Sequence, residues 1–304
     1  MADLSVRIGP LVLKNPVLAA SGTFGYGTEF APYFDVAKLG GIVTKTITLE
    51  PREGNPMPRI AETPAGMLNS IGLANVGVKR FLSEKLPMLQ ALDTVVVVNV
   101  AGNTVEEYAE VVRQVQAHPR VDAIEVNVSC PNVEKGGLAF GTDCRATEAV
   151  TAAVRLSTKK PVIVKLTPNV TDITEIARAA VSGGADALSL INTVVGMAVD
   201  IETRRPLIAR FTAGLSGPAI KPIALAKVFQ VRKAVSVPLI GIGGIMTGGD
   251  AIEFLLAGAT AVQTGTLHFV EPDGPVRVLE GIQRYCESHG VKSVRELIGG
   301  IRET

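Results

Sequence analysis

The sequence has little of what would tie it to a disulfide framework, a metal, a membrane or a polyanion. Its 304 residues include three cysteines, Cys130, Cys144 and Cys286, spaced 14 and 142 positions apart with no Cys-x-x-Cys. An odd number at those gaps argues against a disulfide framework, and more strongly against a self-contained iron–sulfur or structural zinc site. The histidines, His118, His268 and His289, are scattered, and none has metal-ligand spacing. No uninterrupted apolar run reaches the roughly 18 residues of a membrane span. Thirty Lys+Arg face 29 Asp+Glu, and a formal charge of +1 removes the electrostatic case for a nucleic-acid or membrane-surface partner. Met1-Ala2-Asp3-Leu4-Ser5 carries neither a basic segment nor an apolar one behind it, so the chain is expected to be unprocessed and cytoplasmic.

What is present is apolar material in short, regular pieces. Apolar residues make up 47% and charged residues 19%, enough to bury a sizeable core. Eight β-branched runs recur along the chain: 17–20, 41–46, 95–100, 123–129, 162–167, 187–193, 239–245 and 261–266. Most are apolar throughout, as strands buried on both faces of a parallel sheet are. Helical patterns fill the intervals. Thr104 with Glu106 and Glu107, and Asp172 with Glu175, read as helix starts, and Gly183-Gly184 reads as a stop. Pro161 and Pro238 each stand just before a strand. Eight such units without a linker or low-complexity stretch predict one α/β domain over residues 1–304, a (β/α)₈ TIM barrel. Residues 4–13 read as a small hairpin closing one end. Two long connections, 47–75 and 194–217, follow strand C-termini, the face where barrel enzymes carry their chemistry.

The strand ends are unusual. In order they offer Ser21-Gly22, Lys45-Thr46, Asn99, Asn127 with Ser129-Cys130, Lys165, Asn192-Thr193, Gly243-Gly244 and Gly265-Thr266. One Asn at a strand end is an ordinary turn former, and Gly-Gly an ordinary tight turn. A ring of such residues on one face of a barrel is costly to bury without a ligand. Parity in the fourth run sets Glu125, Asn127 and Ser129 toward the barrel axis, and parity in the fifth sends Lys165 to the mouth. A buried lysine needs an anionic partner, and a cofactor that gathers negative charge is one. The glycines ending runs seven and eight suit a phosphate, which binds backbone N–H groups where no side chain intervenes. The string 241–246 lacks the third glycine of a dinucleotide fingerprint, so a mononucleotide fits better than NAD. Cys130 opens a segment, 131–143, that contains Gly136, Gly137 and Gly141 and reads as a lid. The plain alternative is a buried structural thiol. A thiol there can serve as general base if its neighbours favour the thiolate.

Six motifs together resemble the dihydroorotate dehydrogenases of class 1B over essentially the whole chain. They are Ala20-Ser21-Gly22-Thr23-Phe24-Gly25, Glu50-Pro51-Arg52-Glu53-Gly54-Asn55-Pro56, Asn69-Ser70-Ile71-Gly72-Leu73, Asn127-Val128-Ser129-Cys130-Pro131-Asn132, Ile191-Asn192-Thr193 and Gly214-Leu215-Ser216-Gly217-Pro218. The resemblance implies FMN against Ser21, Lys45, Thr46, Asn99, Asn127, Lys165, Ile191, Gly217, Gly243, Gly244, Gly265 and Thr266. It implies dihydroorotate, and orotate as product, against Lys45, Asn69, Ser70, Ile71, Gly72, Leu73, Asn127, Asn132, Asn192 and Thr193, with Cys130 as catalytic base. It further implies a partner subunit carrying FAD and a [2Fe–2S] cluster, two copies of each subunit in a heterotetramer, and NAD⁺ as final acceptor. Two other readings remain. One is a class 1A enzyme passing electrons to fumarate. The other is a non-redox aldolase or isomerase using Lys45 or Lys165 as a Schiff-base lysine. The membrane-bound class 2 form is disfavoured, because the first run begins near residue 17 and leaves no room for an anchor.

Overall fold

The computed structural model describes residues 2–129 and 139–302, so Cys130, Asn132 and most of the expected lid lie outside the described residues. After a hairpin of β1 (Val6–Ile8) and β2 (Leu11–Leu13) come β3 (Val17–Ala19) and β4 (Gly41–Val43). Next are β5 (Ile60–Thr63), β6 (Gly66–Asn69), β7 (Val95–Val100), β8 (Ala123–Asn127), β9 (Val162–Leu166) and β10 (Ala187–Leu190). Four short strands follow, β11 (Val194–Gly196), β12 (Val199–Asp200), β13 (Arg205–Pro206) and β14 (Ala213–Ser216), before β15 (Leu239–Ile242) and β16 (Ala261–Thr264). Strands β3, β4, β7, β8, β9, β10, β15 and β16 close in that order into a barrel of parallel pairs. This is the TIM barrel the sequence predicts, and each of the eight expected runs holds one barrel strand. Most strands stop one to three residues before the run does. The polar residues at the ends turn out of the ladder instead, as Gly243 (φ 130°) and Gly244 (φ 70°) do after β15.

Six helices pack around the barrel where the sequence carries capping signals or a helical stripe. In Val105–Gln116 the Thr104 side chain accepts from Glu107 N, and Tyr108, Val111, Val112 and Val115 face inward. Asp143 and Asp172 cap Cys144–Ser157 and Ile173–Ser182 in the same way. Lys221–Ala234 follows, and Gly248–Leu256 opens on a reciprocal capping box between Thr247 and Asp250. Gly274–Ser288 closes the ring. The first two units depart from the expected strand–helix alternation. Between β3 and β4 only the 3₁₀ turn Val36–Lys38 is present, and after β6 the helical stretch breaks into short turns over 77–89. Gly22, Gly25 and Gly27 all hold positive φ, and Glu29 Oε2 collects the backbone N–H groups of Tyr26, Gly27 and Thr28. That turn satisfies locally the groups a helix would have paired.

The two long connections are not independent loops. They pair with each other as a four-stranded sheet in the order β11-β14-β6-β5. The approach is backbone to backbone: a Cβ on Gly66 would stand 2.0 Å from Ser216 O, so only glycine fits there. At the opposite end of the barrel the β1–β2 turn rests on Asp186, just before β10, with 3.6 Å from the Cβ position of Gly9 to Asp186 Cβ.

Asn75 pins the first long connection to the barrel. Its buried Oδ1 accepts from Thr48 N (3.3 Å) and Gly77 N (2.8 Å), and its Nδ2 donates to Thr48 Oγ1 (2.8 Å) and Leu73 O (2.7 Å). Asn75→Ala strands several buried groups at once and should lower unfolding free energy by about 2–3 kcal/mol in urea titrations.

Candidate functional site

A cavity of about 1090 Å³ opens at the C-terminal ends of the barrel strands, beneath the sheet made by the two connections. Of the residues expected to hold the cofactor, Ser21, Lys45, Thr46, Asn127, Lys165 and Ile191 line it. So do Gly217, Gly243, Gly244, Gly265 and Thr266. Of those expected at the substrate, Lys45, Asn69, Ser70, Ile71, Gly72 and Leu73 line the same space, as do Asn127, Asn192 and Thr193. Asn99 does not. It is fully buried one layer lower, and its Nδ2 donates to Glu125 Oε1 at 2.7 Å. Cys130 and Asn132 lie outside the described residues.

The floor of the cavity is set by inward positions of the barrel. Glu125 is fully buried, and its Oε2 accepts from Ser189 Oγ (2.9 Å) and Gln263 Nε2 (2.8 Å). Lys165, 6% exposed, places Nζ 3.9 Å from Glu125 Oε1 and donates to Ser21 Oγ at 3.3 Å. The anionic partner the sequence demands for Lys165 is therefore supplied first by the protein. Glu125 was legible from strand parity, but its partners Ser189 and Gln263 were missed. The signal for both is a polar residue at an inward position of an otherwise apolar run.

On the wall, Asn192 Nδ2 donates to Ser129 Oγ (3.0 Å) and approaches Asn127 Oδ1 (3.4 Å). The buried Tyr108 hydroxyl donates to Asn127 O at 2.7 Å and anchors the end of β8. Across the mouth, Asn69 Nδ2 donates to Gly214 O (3.3 Å), tying the two connections together at the cavity edge. Leu73 sits in left-handed backbone (φ 58°), a conformation costing roughly 1–2 kcal/mol for a residue with a branched side chain. The bond from Asn75 to its carbonyl holds it there. Burial pushes the Lys45 ammonium below its ordinary pKa, nearby Arg59 adds to the shift, and Glu29 opposes it. An anion beside Lys45 would relieve that cost.

Gly22 and Gly265 are open on the cavity side. A Cβ on Gly22 would meet nothing within 4 Å, and one on Gly265 nothing nearer than 3.9 Å. Side chains there would fill cavity space rather than clash with the protein. Behind this wall His268 is buried among Phe24 and Phe30. Its Nδ1 is 3.0 Å from Thr23 Oγ1 and its Nε2 3.1 Å from Thr264 Oγ1.

The dihydroorotate dehydrogenase family profile matches residues 3–285. Over 299 residues, 98% of each chain, the sequence is 57% identical to a Geotalea uraniireducens protein named dihydroorotate dehydrogenase B (NAD(+)), catalytic subunit. Proteins of the same name are 56% identical in Geotalea daltonii (99% of this chain, 98% of that one) and 54% identical in Bacteroides thetaiotaomicron (99% of each).

Burial lowers the His268 pKa from 6.5 to about 3. The folded state therefore binds fewer protons than the unfolded one between those values. The contribution is complete above pH 6.5 and drains away as pH falls toward 3, at roughly 1.4 kcal/mol per pH unit where steepest. Urea unfolding at pH 7.5 and 4.5 should show that loss, and His268→Gln should flatten the slope. An unchanged slope in the variant would refute the assignment.

Proposed function

The chain belongs to the dihydroorotate dehydrogenase family, and on that premise we propose that it oxidises dihydroorotate to orotate in pyrimidine biosynthesis, with NAD⁺ as final acceptor. The observation that carries this reading is the convergence, on one cavity, of nearly all residues expected at cofactor and substrate. FMN suits the space: the open faces of Gly22 and Gly265 leave room for a ring or chain to lie against backbone. Gly243 and Gly244 (φ 130° and 70°) present backbone that a phosphate can approach. Ser21, Lys45, Thr46, Asn127, Lys165, Ile191, Gly217, Gly265 and Thr266 complete the cofactor wall. Asn99, also expected at the cofactor, is fully buried and does not line the cavity.

When bound, FMN supplies the two-electron acceptor for the hydride that leaves substrate C6. The protein's own groups do the rest. Lys45 offsets the substrate carboxylate, and the half-buried setting strengthens that attraction. Asn69, Asn127, Asn132 and Asn192 each offer one donor and one acceptor, matching the amide edges of a cyclic imide. The bond from Asn192 to Ser129 Oγ fixes which way one of these amides faces. Ser70, Ile71, Gly72 and Leu73 close over the substrate from the first long connection, and Thr193 from the residue just before the second. Cys130 follows Ser129 directly and takes the C5 proton. The β11-β14-β6-β5 sheet covers part of the cavity mouth and would limit the access of bulk water to a bound substrate.

Electrons leave through a partner. Among the described residues no group of three His, Cys, Asp or Glu side chains could hold a metal. A separate subunit with FAD and [2Fe–2S], two copies of each chain in a heterotetramer, accounts for NAD⁺ as acceptor. No helix among the described residues is long and apolar enough to cross a membrane.

Cys130→Ala should leave the purified protein yellow while slowing dihydroorotate-driven flavin reduction by at least about a hundredfold. Full-rate reduction would remove Cys130 from the mechanism. Orotate binding gives a second test. Because Lys45 has a lowered pKa, an anionic ligand binds with proton uptake on the alkaline side. Orotate affinity should fall as pH rises through that pKa, and Lys45→Met should bind orotate weakly with no such alkaline limb in fluorescence titrations.

A further inference from the structure

Glu125 is the one buried carboxylate among the described residues, and nothing in the reaction above uses it. Side chains from five barrel strands meet around it: Asn99 from β7, Glu125 itself from β8, Lys165 from β9, Ser189 from β10 and Gln263 from β16. Three of the contacts are hydrogen bonds of 2.7–2.9 Å received by its oxygens. A buried carboxylate costs several kcal/mol, and removing its cation would leave that cost uncompensated. Lys165 is that cation. It stands between Glu125 below and the cavity above, with Ser21 Oγ as its other partner among the described residues. At 3.9 Å the pair is a charge contact and not a hydrogen bond, so Lys165 keeps N–H donors for whatever fills the cavity. Among the described residues the only carboxylate lining the cavity is the exposed Glu62, so among them Glu125 is the nearest fixed counter-charge to the Lys165 end of the site.

We propose that Glu125 is a positioning residue for Lys165: its carboxylate holds the ammonium at the cavity floor and limits how much positive charge the flavin experiences. The proposal rests on the reading that this cavity binds FMN. It predicts that the Glu125 charge makes the bound flavin harder to reduce than Lys165 alone would.

The test uses Glu125→Gln, Lys165→Met and the double variant, with flavin midpoint potentials, FMN dissociation constants and melting temperatures as readouts. Glu125→Gln can be accommodated, because Asn99 Oδ1 and Gln263 Oε1 have no partner and a turned amide would accept from the new NH₂. Its flavin should be at least tenfold easier to reduce, about 30 mV more positive for two electrons. Lys165→Met leaves a bare buried anion beneath the flavin and should weaken FMN binding at least tenfold. Adding Glu125→Gln to it should restore binding by about tenfold and raise the melting temperature. A purely structural Glu125 predicts the reverse: an unchanged potential in Glu125→Gln, and a double variant weaker than Lys165→Met. Either result overturns the proposal. If the wild-type chain takes up no FMN, the flavin reading fails. The charge pair is then decided by stability alone, with the double variant melting above Lys165→Met if it is right and below if it is wrong.

Discussion

A carboxylate without solvent survives only where donors surround it, and the centre of this barrel is arranged around one. Glu125 draws side chains from β7, β9, β10 and β16 to a single point. Lys165 is thereby held at the boundary between packed interior and open cavity, 6% exposed. Below that layer the strands are apolar on both faces. Above it lie the asparagines, glycines and hydroxyls that line the cavity. The barrel thus passes from core to chemistry within one layer of side chains.

The upper half of the site depends on a second constraint. Residues more than 140 positions apart in sequence form one sheet over the mouth, and the contact between Gly66 and Ser216 leaves no room for a side chain. Leu73 and Asn69 reach the cavity from one connection, and Thr193 and Gly217 from its neighbourhood in the other. A cover built from two connections is fixed by pairing, and Asn75 ties its first half to the barrel through Thr48. The residues proposed to meet the substrate are therefore mechanically linked to the barrel.

Much of this was legible in the sequence. The eight strands, the helix starts at Thr104 and Asp172 and the ring of polar strand ends follow from patterns with a direct physical cause: two-sided burial, capping and inward parity. The short turns replacing the first two helices were not legible, because the glycines at 22, 25 and 27 and the carboxylate of Glu29 make a local arrangement that periodicity does not report. The pairing of 47–75 with 194–217 was also hidden, since each segment alone reads as a loop and only the closed barrel brings them together. Asn99 is tied to the cofactor by family resemblance; the structure buries it off the cavity lining, where its amide donates to Glu125. The substrate and the role of Cys130 come from family resemblance and not from spacing.

On the proposed reading, this chain alone carries out the first half of the reaction and cannot complete it. The most direct test is anaerobic mixing of the isolated chain with dihydroorotate, following the flavin spectrum and orotate together, with and without NAD⁺. On that reading the yellow protein bleaches with one orotate formed per flavin and makes no NADH until a partner subunit is added. A colourless protein, a flavin that dihydroorotate does not bleach, or NADH made by the isolated chain would contradict it.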